Sequence, residues 1–511
     1  MKSRYIIFLF FTIVFTASCT SDFEEMNDNP LGLTEDRIDV DLLFTRAIVY
    51  GALRYTEFQR AQMLYTQHYI QWYSISVPYF ETGRYLYRND WSTAYWEAAY
   101  ADFGMQIQQV IDITENDPFL VNENAIARIW KVFIVHRITD FWGDVPYSEA
   151  WSGNLTPAYD TQEFIYNDML NELEDAIQQF DPSLQENFGS NDLIYGGEIS
   201  YWIRFANSLR LRLAMRVSDV APELARQHGE DVLADGRLIE NIEQSATMPY
   251  GRDKGNADEN VQPMSWITRF DEYRMSNTII DILEDNNDPR LPVYADQAQA
   301  TGEYNGLQNG LNPAQLGQVN IAEFSKDSDI IANQYAPTGL LIWPEVEFLK
   351  AEAALKGWTG VDSDPEQYYE AGIRASMQYW LWVYEDLLSR LPEDQANAMK
   401  NIEITEQDIQ DYIDQVAYDP TMGLEQIITQ KWLALINQGF EAWADYRRTG
   451  YPNLNAIPNI DDASETGGSM VPVRVRYPLQ ESVSYNQENY AEAVDRQGPD
   501  ALSTRVWWDI D

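Results

Sequence analysis

The stretch TQKWLALINQGFEAWADYRRTGYP, residues 429 to 452, reads as the end of a buried helix. Leu424, Ile428, Trp432 and Leu435 recur at helical spacing, and Phe440 and Trp443 continue the apolar side. Arg447 and Arg448 fall in the last turn, where cations suit the negative end of the helix dipole. Gly450 and Pro452 then stop the helix. The pattern predicts one helix over 424–447, with Trp432, Phe440 and Trp443 packed into a core.

The same period returns along most of the chain. Helices are expected over 42–74, 92–114, 122–140, 161–180, 199–217, 344–357, 364–386 and 405–416. In the third, Ile126, Ile129, Trp130 and Phe133 share a side; in the fourth, Thr161 is the N-cap and Pro182 the stop. In the fifth, Trp202, Phe205, Leu209 and Leu213 share a face, while Arg204, Arg212 and Arg216 lie elsewhere and are expected to pair with carboxylates. Residues 236–340 are rich in Gly, Asn, Pro and Asp, with weak periodicity, and read as loops. No linker-like break interrupts 41–511, so the expectation is one large all-α domain of stacked helix pairs with long loops. No clean repeat of about 34 residues is visible, which leaves degenerate tetratricopeptide-like pairs.

Composition narrows the function. The 511 residues include 81 acids against 35 bases, a net charge of −46. Nucleic acid is excluded as a partner, because binding phosphates needs clustered Lys and Arg. An anionic bilayer would repel the chain. A neutral ligand such as a sugar, or a cationic peptide, is tolerated. One cysteine allows no internal disulfide, and three scattered histidines give no zinc spacing and no Cys–His nucleophile. No G-x-S-x-G, P-loop, H-E-x-x-H or EF-hand pattern is present, so the chain does not read as an enzyme.

The lone cysteine has a different use. Lys2 and Arg4 precede an apolar run, Ile6 to Phe15, broken only by Thr12. The run is too short to span a bilayer, which takes about 20 residues. Thr16, Ala17 and Ser18 are small and stand just before Cys19. The stretch resembles a bacterial lipobox, with Thr16 in place of the usual Leu. Residues 1–18 are then a signal peptide and Cys19 becomes the acylated (palmitate-bearing) first residue. Residues 19–40 follow as an acidic tether, and 41–511 form the helical domain. Removing the signal peptide takes the net charge to about −48.

Five stretches carry a family resemblance: FWGDVPYSEAW (141–151), NSLRLRLAMR (207–216), NDPRLPVY (287–294), NDNP (27–30) and the opening stretch at 429–452. Together, and in their order along the chain, they resemble the SusD/RagB family, and more closely its SusD-like branch of starch-binding-associated outer-membrane lipoproteins. The resemblance implies an all-α body with four tetratricopeptide-like helix pairs and a loop-rich ligand face. It implies a non-catalytic lid, facing the cell exterior, over a SusC-like TonB-dependent outer-membrane β-barrel, delivering a captured oligosaccharide. An oligopeptide-binding lid of the RagB kind, or a scaffold of the barrel that touches no substrate, are the alternatives.

FWGDVPYSEA is expected to be structural. Gly143 permits a turn, Asp144 caps amides and Pro146 sets the exit direction. Sugar binding needs flat apolar faces beside hydrogen-bonding groups, and loops are where such rings are exposed. The family's sites draw on loops near the first helix pair, which points to residues 76–91 with Tyr79, Tyr85, Tyr87 and Trp91. A second loop, 251–274, offers Trp266, Asp271 and Tyr273. Tyr304 and Trp151 are further candidates. No cofactor is expected. A calcium ion would have the Asp and Asn residues of 253–260 and 285–288 to choose from, without a diagnostic spacing.

Overall fold

The computed structural model describes residues 39–184, 187–250, 261–468 and 471–510. The expected signal peptide, Cys19 and nearly all of the expected tether lie outside these residues.

Helix α1, Val40–Gly51, starts where the Asp39 carboxylate accepts from the backbone N–H groups of Asp41 and Leu42. The single helix expected over 42–74 is in fact broken. Leu53 takes a left-handed conformation (φ +73°) and buries its side chain, and the chain restarts as α2 over 55–69. Strand β1, Tyr73–Ile75, follows. Apolar residues recur on both sides of this break, so periodicity alone does not reveal it. Helix α3 covers 89–114 and is π-wound over Ala99–Phe103. Then come α4 (Val121–Trp142), β2 (Val145–Pro146), β3 (Tyr159–Asp160), α5 (Gln162–Gln179), α6 (Ile199–Arg216) and α7 (Pro222–Asp235). Thr161 caps α5 as expected, its hydroxyl accepting from the Phe164 N–H at 3.2 Å.

The middle is irregular, as expected. It holds β4 (Ala246–Met248), α8 (Pro263–Ile267), β5 (Tyr273–Met275), α9 (Asn277–Asp285) and β6 (Thr338–Leu341). The strands form three two-stranded antiparallel sheets: β1 with β5, β2 with β3, and β4 with β6. Regular helices return as α10 (Trp343–Leu355), α11 (Pro365–Arg390) and α12 (Glu406–Gln415). The last are α13 (Gly423–Ala434), α14 (Gly439–Thr449) and α15 (Gln487–Gln497). Helices α7 and α15 were not expected, nor were α8 and α9 inside the stretch read as loops. Helix α15 buries little beyond Ala493 and so shows no apolar period.

The opening stretch is two helices rather than one. Asn437 is left-handed (φ +71°) and its side chain accepts from the Tyr73 hydroxyl at 2.7 Å. Gly439 donates its N–H to the Gln62 side chain of α2 at 2.7 Å, and a Cβ there would overlap Thr66. Close approach to α2 breaks the helix. The predicted packing of its rings is correct: Trp432, Phe440 and Trp443 are all buried. Consecutive helices pack on each other as pairs, α3 on α4, α5 on α6, α6 on α7 and α10 on α11, with α13 against both α10 and α11. Helix α14 joins the halves, touching α2, α4 and α6.

At this junction the buried arginines find their carboxylates. Arg216 pairs with Asp140 and, at 2.5 Å, with Glu441. Arg212 grips both oxygens of Glu345 at 2.7 Å. Lys431 lies 2.8 Å from Asp445, and Arg448 pairs with Glu352 and, at 3.0 Å, Asp445. Arg447 lies 3.5 Å above the Trp443 ring and donates to the carbonyls of Asp140 and Val473. Four cations thus pair with five carboxylates, and the fifth cation, Arg447, is held by carbonyls and a ring, which is how charge is tolerated in a core.

The FWGDVPYSEA segment is also structural. Gly143 is left-handed (φ +92°), and a Cβ there would overlap the Gln497 amide. The Asp144 carboxylate accepts from the Gln162 N–H at 2.8 Å and from Arg496 at 2.8 Å, tying α5 to α15. Pro146 lies in β2, opposite Tyr159.

Candidate functional site

Pairing of β1 with β5 sets Tyr73 opposite Met275, Ser74 opposite Arg274 and Ile75 opposite Tyr273. The two loops picked out separately in the sequence are thereby joined. Ser76 donates its N–H to the Glu272 carbonyl at 2.9 Å and its hydroxyl to the Asp271 carbonyl at 2.9 Å. Tyr79 donates its hydroxyl to the Glu272 carboxylate at 2.6 Å. That bond pushes the phenol up to about 12.

Tyr79 is 53% exposed and Phe270 55% exposed, so two large rings stand in water on adjoining loops. Tyr79 meets Phe80 edge-on at 4.9 Å. Trp266, on α8, is half-buried against Tyr55 of α2 at 5.3 Å, with the Arg269 guanidinium 4.9 Å from its ring. Asp271 is left-handed (φ +56°) and its carboxylate is largely exposed. Partial burial works against its charge, but Lys326 and Arg274 outweigh that and hold the carboxyl below its ordinary range. Exposed rings thus stand beside carboxylates, a guanidinium and an ammonium. Such a surface can take the CH side of a pyranose while hydrogen-bonding its hydroxyls.

Three of the six ring and acid candidates are core residues in this fold. Tyr85 is buried, edge-on to Tyr69 at 5.6 Å. Trp91 is covered by Tyr65, Phe80 and the Arg88 guanidinium. Tyr273 packs on Tyr73 at 5.2 Å and donates to Asp327 at 2.9 Å. Their ring faces are occupied by neighbours because both loops fold back over the body. Tyr87 and Tyr304 are half-buried, the first donating its hydroxyl to the Tyr477 carbonyl at 3.0 Å. Sequence reasoning passed over Phe270 and Glu272. Nothing local separates Phe270 from Tyr273; one points out and the other in.

Asp327 anchors this face from beneath. It accepts from Thr268 at 2.8 Å and Tyr273 at 2.9 Å, and burial pushes its carboxyl up to about 6. Among the described residues no group of three or more metal-ligating side chains is found. Asp288, within one calcium expectation, pairs with Arg290 at 2.6 Å; residues 253–260 lie outside the described residues. Among the described residues no helix is long and apolar enough to cross a membrane.

A SusD-like family model, described as starch-binding and associating with the outer membrane, matches residues 35–478. Among solved structures, a chitin-binding protein matches with a TM-score of 0.79 at 29% identity, covering 93% of this chain and 100% of its own. A chitin-binding SusD homologue from Flavobacterium johnsoniae gives 0.77 at 26%, covering 92% and 99%. A SusD homologue from Bacteroides uniformis gives 0.77 at 27%, also covering 92% and 99%. No curated protein matches the chain.

Proposed function

The chain belongs to the SusD-like family, starch-binding proteins associated with the outer membrane that bind and do not catalyse, and on that premise we propose a specific role. It is a lipoprotein held by Cys19 on the outer face of the outer membrane. It captures an oligosaccharide and passes it to a SusC-like TonB-dependent β-barrel, for which it is the lid. The single observation behind the capture step is the β1–β5 pairing, which sets Tyr79, Phe270, Asp271 and Glu272 on adjoining loops, with Trp266 just before them. Stacking and hydrogen bonds supply the initial affinity, and closure onto the barrel adds its contacts.

A glycan array with the purified mature chain tests this. Chito- and malto-oligosaccharides are the first probes, given the chitin-binding relatives and the family description. Binding of at least one neutral glycan is expected, weakened at least about tenfold when Tyr79 and Trp266 are both replaced by Ala. A chain that binds peptides and no glycan is a peptide lid instead.

A further inference from the structure

A cleft of about 680 Å³ opens between α3, the segment after β2 and the loop before α15. That size falls within the range of small-molecule sites, about 300–1,000 Å³. Its floor is a run of three rings. Trp96 and Tyr100 lie 4.6 Å apart on α3, and Trp151 stacks on Tyr100 at 5.6 Å and 25°. Two departures from ordinary backbone and one missing side chain build this floor. Where α3 is π-wound, the Gly104 N–H reaches back to the Ala99 carbonyl, and the Tyr100 carbonyl accepts from the Trp151 indole at 2.9 Å. Gly104 itself is bare, and a Cβ there would overlap the Trp151 ring. Trp151 is left-handed (φ +61°), which a bulky residue adopts only under constraint. Strained residues and π-segments concentrate at functional sites.

The rim is as unusual as the floor. Tyr485 is 94% exposed and Leu155 87% exposed, both lining the cleft. Gln109, Asp112, Asn154 and Glu481 line it too, and among the described residues no Lys or Arg does; the Lys131 ammonium stands behind the lining, 5.7 Å from the Trp151 ring, and is taken up by Gln108 at 2.9 Å. Rings, amides and carboxylates without a cation suit hydroxyls and disfavour an anion.

We propose that this cleft is a second carbohydrate site, for a short run of neutral pyranose units. One unit seats against Trp151 and Tyr485, and its hydroxyls bond to Gln109, Asp112 and Asn154. The inference rests on the reading that the ligand is a glycan, but not on the loop face at Tyr79 and Trp266. Two sites on one chain favour a polysaccharide over its short oligomers, because the second contact is intramolecular.

Hydrogen–deuterium exchange of the mature chain, with chitohexaose, maltohexaose and the tightest neutral glycan from the array, separates the cases. The expected result is protection at 146–157 and 480–487 in addition to 76–80 and 265–272. Tyr485→Ala with Gln109→Ala, both at exposed positions, is expected to weaken polysaccharide binding roughly tenfold and to remove protection at 146–157 and 480–487 while leaving that at 76–80 and 265–272. Protection confined to 76–80 and 265–272, with the double variant unchanged, overturns the inference and leaves the loop face standing. Protection confined to the cleft upholds the inference and removes the loop face. No protection at either overturns both, and protection of the cleft by an apolar peptide in place of any glycan overturns the ligand class.

Discussion

Glu441 on α14 is buried and faces Arg216 at 2.5 Å, Arg212 at 3.4 Å and Lys431 at 3.9 Å. Burial alone would raise its pKa; the three cations overcome that and hold the carboxyl at about 2, against its ordinary 4.5. A pKa depressed by about 2.5 in the folded state is worth about 3 kcal/mol of stability at neutral pH. That agrees with roughly 3–5 kcal/mol for removing one partner of a buried ion pair. Because the folded pKa lies below the unfolded one, the contribution is full above 4.5 and is lost as pH falls through about 2. Glu441→Gln should therefore cost about 3 kcal/mol at pH ~7 and less than half of that near pH ~3. Urea unfolding followed by tryptophan fluorescence at both pH values measures it. Asp235→Asn, which breaks the exposed pair with Arg237, serves as control and should cost under about 1 kcal/mol. A Glu441→Gln chain within about 0.5 kcal/mol of wild type, or a deficit that does not shrink in acid, would refute the reasoning.

Asp327→Asn tests the anchor beneath the loop face. The folded carboxyl titrates at about 6 against an ordinary 3.8, so stability present below 3.8 is lost as pH rises through 6, by up to about 3 kcal/mol. Melting curves should show wild type falling more steeply than the variant across this range; parallel curves would rule the assignment out. Gly143→Ala combines a left-handed backbone with overlap at Gln497, whereas Gly153→Ala meets the strain with open space around it. The first should lower stability by more than about 1 kcal/mol and by more than the second, measured by denaturant midpoint. Cys19→Ala should move the protein from the membrane to the soluble fraction with glycan binding intact; lost binding would count against a tether.

The helices that carry the body could be read from the sequence because a 3.6-residue apolar period is a local property. Helices α4, α5, α6 and α11 fall close to their expected spans for that reason. The break at Leu53 was not readable from the apolar period, and the one at Asn437 was not because segments distant in the chain impose it. The pairing of arginines in α6 followed from an excess of carboxylates, but their partners on α4, α10 and α14 did not.

The binding surface divides the same way. Sequence alone determined that two loops, 76–91 and 251–274, carry aromatic rings beside charge, because composition and loop chemistry are local. It also determined the family, through motifs that position helix ends and turns. Only the tertiary structure decided which rings meet water. Tyr273 is turned inward by Tyr73 and Asp327, while Phe270, three residues earlier, stays exposed. It also decided that Trp151, reached through a left-handed turn, floors a cleft with two rings of α3. Burial is set by neighbours that come from elsewhere in the chain, so two aromatic residues in one short loop can have opposite fates.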